Sequence, residues 1–362
     1  MADQLDVVER VLQILAEGRR SSTYKLAVLV GLLDLCQERT SELGWPPTSV
    51  TTRELAEKVI ELYWPQVGQH NGRPLAQNRG QEGAILATVR VLHDTAQALP
   101  GPGASLHGVR SLRRAEYEAA VDEVEWKLIE MPLPKLQRVG GDRIAWLYRI
   151  EWDDDHLPTR GEVRRYQQGL ATSFDNCIRL LPDVALAFVR LHGLLRPFVE
   201  QQWVRQVAAM NALEEDSLHG FLFGRDRQDL GAVRPVLLDL QRGGCFYCGG
   251  GVREVEAEVD HFLPWSRHPD DGLDNLVIAH RRCNRDKSDF LAAAEHVGRW
   301  RERSRGEVLD QVADSLGWDR RREQTLGAAR ALYLRLPPET RLWRGVGSFE
   351  EVDLRRVSGV LG

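Results

Sequence analysis

The sequence is poor in sulfur: five cysteines and three methionines in 362 residues. That is too sparse for a small secreted scaffold held by disulfides, which is dense in cysteine. Long apolar runs are also missing. The best, LAVLVGLLDLC and VALAFVRLHGLL, are too short or too charged to span a bilayer, which takes about 20 apolar residues. The opening MADQLDVVER has neither the basic nor the apolar region of a signal peptide, so a cytoplasmic location is expected. Positive charge is not in excess either, with 48 Lys and Arg against 53 Asp and Glu and a formal net charge of −5. Any contact with nucleic acid must then come from local patches. No repeat or low-complexity tract stands out. What is present is ordinary globular material, 43% hydrophobic and 28% charged, long enough for two or three domains with their own cores.

Three of the cysteines fall in one stretch, Cys245 to Asp289. Cys245 and Cys248 have C-x2-C spacing, and His280 and Cys283 have H-x2-C spacing. One turn can present each pair to a tetrahedral ion, so the four read as ligands of a structural zinc. The competing reading is four unrelated residues or a buried thiol pair. Residues 249–279 between the pairs leave room for a hairpin and a loop, and a metal clip would stabilise a segment of low apolar content.

A second set of residues is interleaved with the first. Val255, Ala257 and Val259 alternate with Glu254, Glu256, Glu258 and Asp260, a period-two strand with an acidic face. Asp260 lies at its polar end and can hold a divalent cation through oxygen. His261 follows at the exit and can take a proton from water at neutral pH. Asn284 lies in the polar stretch RRCNRDKSD, read as a short helix, and offers a second oxygen to the cation. Lys287, three residues on, shares its helical face. Glu258 is as readily a solvated strand position as a metal ligand. His268, His296 and Trp265 read as packing residues, Trp265 in the loop that would border a nucleic acid.

The pattern DH-x2-P-x-S, then DNL, then C-N-x2-K-S-D resembles the ββα-metal domain of the HNH endonuclease family. Its spacing is similar to the HNH domains of RNA-guided CRISPR effectors and of bacterial restriction-type nucleases. The resemblance covers roughly residues 218–300, with FLFGRDR and VRPVLLDLQ as lead-in. It implies that His261 is the general base acting on water against a phosphodiester, and that Asp260 and Asn284 hold one Mg2+ or Mn2+ at the scissile phosphate. It also implies that Asn275 braces the loop and orients His261, and that Lys287 lies near the phosphate. Asn284 stands where the family name has His, an HNN variant that favours a hard cation. His280 stands where many members have Cys, and remains a competent ligand.

The expected fold class is mainly α with small β parts (α+β). Residues 1–98 read as a helical domain, with a stripe of Val7, Val11, Leu12, Leu15 and Ala16, then a helix through Leu26, Leu29, Leu33 and Cys36. Thr51-Thr52 caps the next, with Glu54 in capping-box position. Pro100-Gly101-Pro102-Gly103 marks a break. Residues 104–157 read as a helix, about 111–130 and ended by Pro132 and Pro134, followed by a hairpin in KLQRV-GG-DRIAWLYRIEW. Ile144, Trp146, Tyr148, Ile150 and Trp152 share one face of it. Helix then hairpin is the order of a winged-helix module, which would place a helix in a DNA groove; a helical scaffold or partner-docking domain has the same order. Arg19, Arg20 and Lys25, and Arg110, Arg113 and Arg114, read as solvated basic faces. Residues 158–217 read as a helical linker, 218–305 as the nuclease domain and 306–362 as a helical tail. Arg299, Arg301, Arg303 and Arg305 around Trp300 read either as a grip on a phosphate backbone or as a solvated helix face.

These residues point to a metal-dependent endonuclease that hydrolyses DNA, in bacterial restriction or anti-phage defence, with Mg2+ or Mn2+ catalytic and Zn2+ structural. The expected partners are DNA and either a second copy of the chain or a defence-system protein. An RNase or toxin with the same site is one alternative; a zinc-stapled nucleic-acid-binding module without catalysis is another. Intact Asp260, His261 and Asn284 weigh against the last.

Overall fold

The computed structural model describes residues 4–17, 21–79, 83–99, 104–138, 145–153, 155–216, 218–223 and 230–362. Arg19, Arg20, the Pro100–Gly103 break, Gly140, Gly141, Ile144 and part of FLFGRDR lie outside them. Packing divides the chain into two units, Met1–Cys36 with Pro47–Arg225, and Gln37–Pro46 with Asp226–Gly362. The fold is α+β, mainly helical with small antiparallel sheets. Among the described residues no helix is long and apolar enough to cross a membrane.

The first unit starts with α1 (Gln4–Glu17), α2 (Tyr24–Glu38), β1 (Ser49–Thr51) and α3 (Thr52–Tyr63). Two-residue strands β2 (Gln69–His70) and β3 (Arg73–Pro74) lead to α4 (Ala84–Gln97), α5 (Leu106–Leu112), α6 (Arg114–Glu130) and α7 (Pro132–Lys135). Then come β4 (Tyr148–Arg149), α8 (Arg160–Gln167), β5 (Cys177–Leu180), α9 (Pro182–Arg190), α10 (His192–Asn211) and α11 (Leu218–Leu222). Val7, Val11, Ile14 and Leu15 of α1 are buried, whereas Leu12 faces out. The expected capping box forms: the Glu54 N–H donates to Thr51 Oγ1 at 3.1 Å and the Thr51 N–H to Glu54 Oε2 at 2.8 Å. Pro132 does not simply stop α6; it begins α7, where its missing N–H costs nothing.

The expected hairpin differs. β4 pairs with β5, and β5 with β1, all antiparallel. Residues 135–138 of the KLQRV arm form no strand, because the Gln137 side chain takes that place; Val139 lies outside the described residues. Its Oε1 accepts from the Leu147 N–H at 2.6 Å, and its Nε2 donates to the Tyr148 carbonyl at 2.9 Å. Residues 150–176, with α8 among them, separate β4 from β5, so no tight wing closes the pair.

The second unit carries α12 (Arg234–Leu240), β6 (Ala257–His261), β7 (Leu276–His280), α13 (Arg281–Lys287), α14 (Ala294–Arg305), α15 (Val308–Leu316), α16 (Arg322–Tyr333), the hairpin β8 (Arg341–Gly345) and β9 (Ser348–Glu351), and α17 (Leu354–Leu361). β6 and β7 run antiparallel, with Ala257 opposite His280 and His261 opposite Leu276. The acidic strand is shorter than its alternation suggests. His280 turns the chain into α13, so nothing is left to pair with Glu254–Glu256, which form a 3-10 turn with Val255 exposed. The core behind the hairpin holds Leu276, Val277, Ile278 and Phe262, whose ring stacks on Trp300 at 4.9 Å. The Gln37–Pro46 segment packs against α16. A Cβ at Gly327 would stand 1.8 Å from the Glu38 carbonyl oxygen, so only glycine fits there.

Candidate active site and metal clip

The turn after α12 brings the first two sulfurs together. The Gly249 N–H donates to the Cys245 carbonyl at 2.9 Å and the Cys245 N–H to the Gly250 carbonyl at 2.8 Å. Gly249 takes φ +71°, which a side chain would resist. His280 closes β7 and Cys283 sits in the first turn of α13, so the strand-to-helix junction delivers the other pair. One donor atom from each of Cys245, Cys248, His280 and Cys283 lies within 4.8 Å of the others. His280 Nε2 lies 3.0 Å from the Gly251 carbonyl. A carbonyl only accepts, so Nε2 carries the hydrogen and the Nδ1 lone pair faces the sulfurs, 3.3 Å from Cys248 Sγ. Burial and the nearby Cys245 and Cys248 push the Cys283 thiol up to about 12. Three sulfurs and one imidazole nitrogen form a complete tetrahedral donor set, consistent with a structural zinc site that leaves no position for water.

The second cluster lies where α13 crosses β6. Asp260 Oδ2 accepts from the Tyr247 hydroxyl at 2.5 Å and pairs with Lys287 Nζ at 3.1 Å. Burial and the Asp260 charge hold the Tyr247 hydroxyl well above its ordinary value, so it stays the donor. Lys287 is 0% exposed and also donates to the His261 carbonyl at 2.8 Å. The resemblance puts Lys287 near the phosphate. Here its ammonium is committed to Asp260 and the backbone of His261, and fixes the rotation of the carboxylate. Both partners of Asp260 fall on Oδ2, and among the described residues Oδ1 takes no hydrogen bond.

Asn284 shows the same pattern. Its Nδ2 donates to Glu258 Oε2 at 3.0 Å, while Arg281 Nε donates to Oε1 at 2.7 Å. A carboxylate can only accept, so the amide nitrogen must face Glu258, and among the described residues Asn284 Oδ1 takes no hydrogen bond. The residues thus fit a hard cation: each offers one oxygen without a hydrogen bond and has its other polar atom tied down.

His261 is nearly buried at the end of β6. Its Nε2 lies 2.6 Å from Asp271 Oδ1, and the edge of the Trp265 ring system meets the imidazole at 5.1 Å between centroids. The loop carrying Asp271 is held from several sides. Asn275 accepts from the Leu263 N–H at 2.8 Å and donates to the Leu263 and Asp270 carbonyls at 3.2 and 3.0 Å. Trp318 Nε1 donates to the Asp271 carbonyl at 2.7 Å. Gly272 is pressed so closely that a Cβ would meet the Cβ of Arg321 at 2.8 Å. Burial would raise the Asp270 carboxyl, but His268 and Arg321 hold it at about 2.

Sequence reasoning missed Asp271 and Tyr247. HPDDGLDN offers three carboxylates within five positions, and nothing in the string says which one reaches His261. Glu258, weighed as a solvated position, is instead the partner that orients Asn284. The arginines of α14 are partly turned inward. Arg303 is half-buried, and burial lowers its guanidinium to about 10; Arg299 donates to the Tyr247 carbonyl at 2.8 Å. Arg299 and Arg303 thus brace the site, while Arg305 stays exposed, so the four do not form one free row. His296, also buried, meets the Arg344 carbonyl through Nε2 at 2.9 Å, a packing role.

Residues 4–221 match a family described as a domain of unknown function (DUF8808), and residues 245–293 match the HNH endonuclease family. No curated protein and no solved structure matches the chain. The chain therefore belongs to the DUF8808 family and carries, at residues 245–293, an HNH endonuclease segment built on a Cys245–Cys248–His280–Cys283 cluster able to hold a metal ion.

Proposed function

We propose that this protein is a metal-dependent endonuclease that hydrolyses DNA phosphodiester bonds in the cytoplasm, in bacterial restriction or anti-phage defence. The observation that carries the reading is the pair of free oxygens, Asp260 Oδ1 and Asn284 Oδ1, beside an imidazole whose far nitrogen is already bonded to a carboxylate. Asp260 and Asn284 would hold Mg2+ or Mn2+, since a hard cation suits oxygen donors. When bound, such a cation would polarise the phosphate and neutralise charge developing on the leaving 3′-oxygen. The chain's own residues do the rest. Asp271 accepts the Nε2 hydrogen of His261, so the Nδ1 lone pair is the one that takes the proton of the attacking water. Lys287 and Tyr247 fix the Asp260 carboxylate. Asn275 holds the loop that carries Asp271. Cys245, Cys248, His280 and Cys283 would hold a zinc ion that keeps β6, β7 and α13 in register.

The defence role rests on association: an HNH segment joined to a large helical portion is the build of restriction and phage-defence nucleases. The residues before the nuclease, and a second copy or a defence partner, would set target and trigger. The test is a digestion panel of supercoiled plasmid, single-stranded DNA and structured RNA, with Mg2+, with Mn2+ and without divalent cation. Cation-dependent nicking of the plasmid is expected. Cutting of RNA alone would turn the reading to an RNase or toxin. Binding without cutting under every condition would leave a nucleic-acid-binding module.

A further inference from the structure

A cavity of about 1140 Å³ lies beside the zinc cluster, between α13 and the β8–β9 hairpin. It is larger than the clefts of about 300–1,000 Å³ that enclose small molecules. Its walls are fixed to each other. The Asp286 carboxylate on α13 accepts from Trp343 Nε1 at 2.7 Å and from the Gly347 N–H at 2.9 Å on the hairpin. β8 is further tied down through the Trp343 carbonyl, which accepts from the Ala293 N–H at 2.7 Å.

Among the described residues three arginines line this cavity without an ion pair, Arg282 and Arg285 from α13 and Arg344 from β8; of the two carboxylates in the lining, Asp286 is bonded to the hairpin and Glu256 to Arg253. By contrast, Arg281 at the same rim is paired with Glu258. Arg282 and Arg285 are three apart on one helix and so share a face. Arg344 reaches the cavity because β8 is irregular. Trp343 pairs with Phe349 and Gly345 with Ser348, which leaves Arg344 as the extra residue of a bulge. A bulge re-aims a side chain that strict alternation would send elsewhere. Apolar residues are interspersed: Val255 is 82% and Val346 37% exposed at the cavity.

We propose that this groove holds the sugar–phosphate backbone of the nucleic acid on which the HNH site acts. The inference rests on the nuclease reading. Unpaired guanidiniums on two rigid walls match a run of phosphates, and exposed valines suit the sugars between them. α13 serves both places: it carries Arg282 and Arg285 on the cavity wall and Asn284 at the proposed cation position. A strand seated in the groove would run along the helix that also presents Asn284. An acidic protein segment offers the same charge but has no reason to lie along the helix that holds Asn284.

The test uses the full chain loaded with zinc and fluorescent duplex and single-stranded oligonucleotides in buffer without Mg2+, so that binding is read without cutting. Arg282→Gln, Arg285→Gln, Arg344→Gln and the triple variant are compared with wild type across a salt series. Each phosphate contact contributes about 0.9 to the slope of log K against log salt on duplex, so the triple variant should lose about 2 to 3 of that slope. Zinc content reports that the fold is intact; if the triple variant loses zinc, the single variants, each expected to lose about 1, decide. An unchanged slope in zinc-loaded variants overturns the groove while leaving the nuclease reading standing, provided that wild type cuts plasmid. If wild type neither binds nor cuts any nucleic acid, the nuclease reading fails first and the groove with it.

Discussion

At the scale of single residues the site is a set of polar groups held by their partners with one direction left over. His261 shows this most clearly. Asp271 accepts from Nε2–H, so in the neutral imidazole Nδ1 carries the lone pair that a base needs. Asp271→Ala should lower kcat by about 10- to 100-fold, an orienting carboxylate being worth less than the base itself. KM and nucleic-acid affinity should stay within about twofold, because Asp271 touches the imidazole and not the substrate. Asp271→Asn, which can still accept from Nε2–H through its amide oxygen, should recover part of the rate. Single-turnover kinetics and nitrogen chemical shifts of the His261 ring check this; a ring that keeps its Nε2–H tautomer in Asp271→Ala would remove Asp271 from the mechanism. Asp260 is a poorer probe. Removing it strands the buried Lys287 ammonium, and breaking a buried pair costs about 3–5 kcal/mol, so lost activity would not be separable from lost fold.

At the scale of elements the nuclease centre is two short strands and one short helix, none long enough to hold its shape alone. The Cys245–Cys248–His280–Cys283 cluster joins the turn before β6 to the start of α13, and a zinc ion held there would fix the crossing of α13 on β6. Stripping zinc with a chelator should abolish cleavage even in excess Mg2+, and the second unit should lose its cooperative melting transition. Zinc, and not more Mg2+, should restore both, as read by metal content and calorimetry. A chelated protein that keeps its transition would make the cluster incidental. These ligands were legible in the sequence because the zinc spacing is local: two residues between donors is a property of one turn. The same holds for Thr51 and Glu54, a capping box readable from four positions. What could not be read was set by distant pairing. Glu254–Glu256 alternate like a strand but lack a partner, since β7 ends opposite Ala257. Gln137 replaces a strand arm with its own side chain. The β8–β9 hairpin lies in the stretch that reads as a helical tail, although Gly345-Val346-Gly347 is a turn signal.

At the scale of the whole molecule the chain is two packing units, one of which recruits a short segment, Gln37–Pro46, from far upstream. No local pattern announces that recruitment; it depends on a glycine at position 327 that lets backbone approach backbone. The net charge of −5 forbids a general attraction to polyanions, so affinity must come from places such as the wall of α13. One HNH segment per chain supplies one hydrolytic centre, so supercoiled plasmid should pass through the nicked form before any linear product. The account's central claim is that Asp260, His261 and Asn284 form one hydrolytic centre on a zinc-held scaffold. The most direct measurement is the single-turnover nicking rate of wild type and His261→Ala at matched zinc content, with saturating Mg2+. The account predicts a fall of at least about 100-fold with DNA binding and zinc unchanged; a zinc-loaded His261→Ala protein that nicks at the wild-type rate would contradict it.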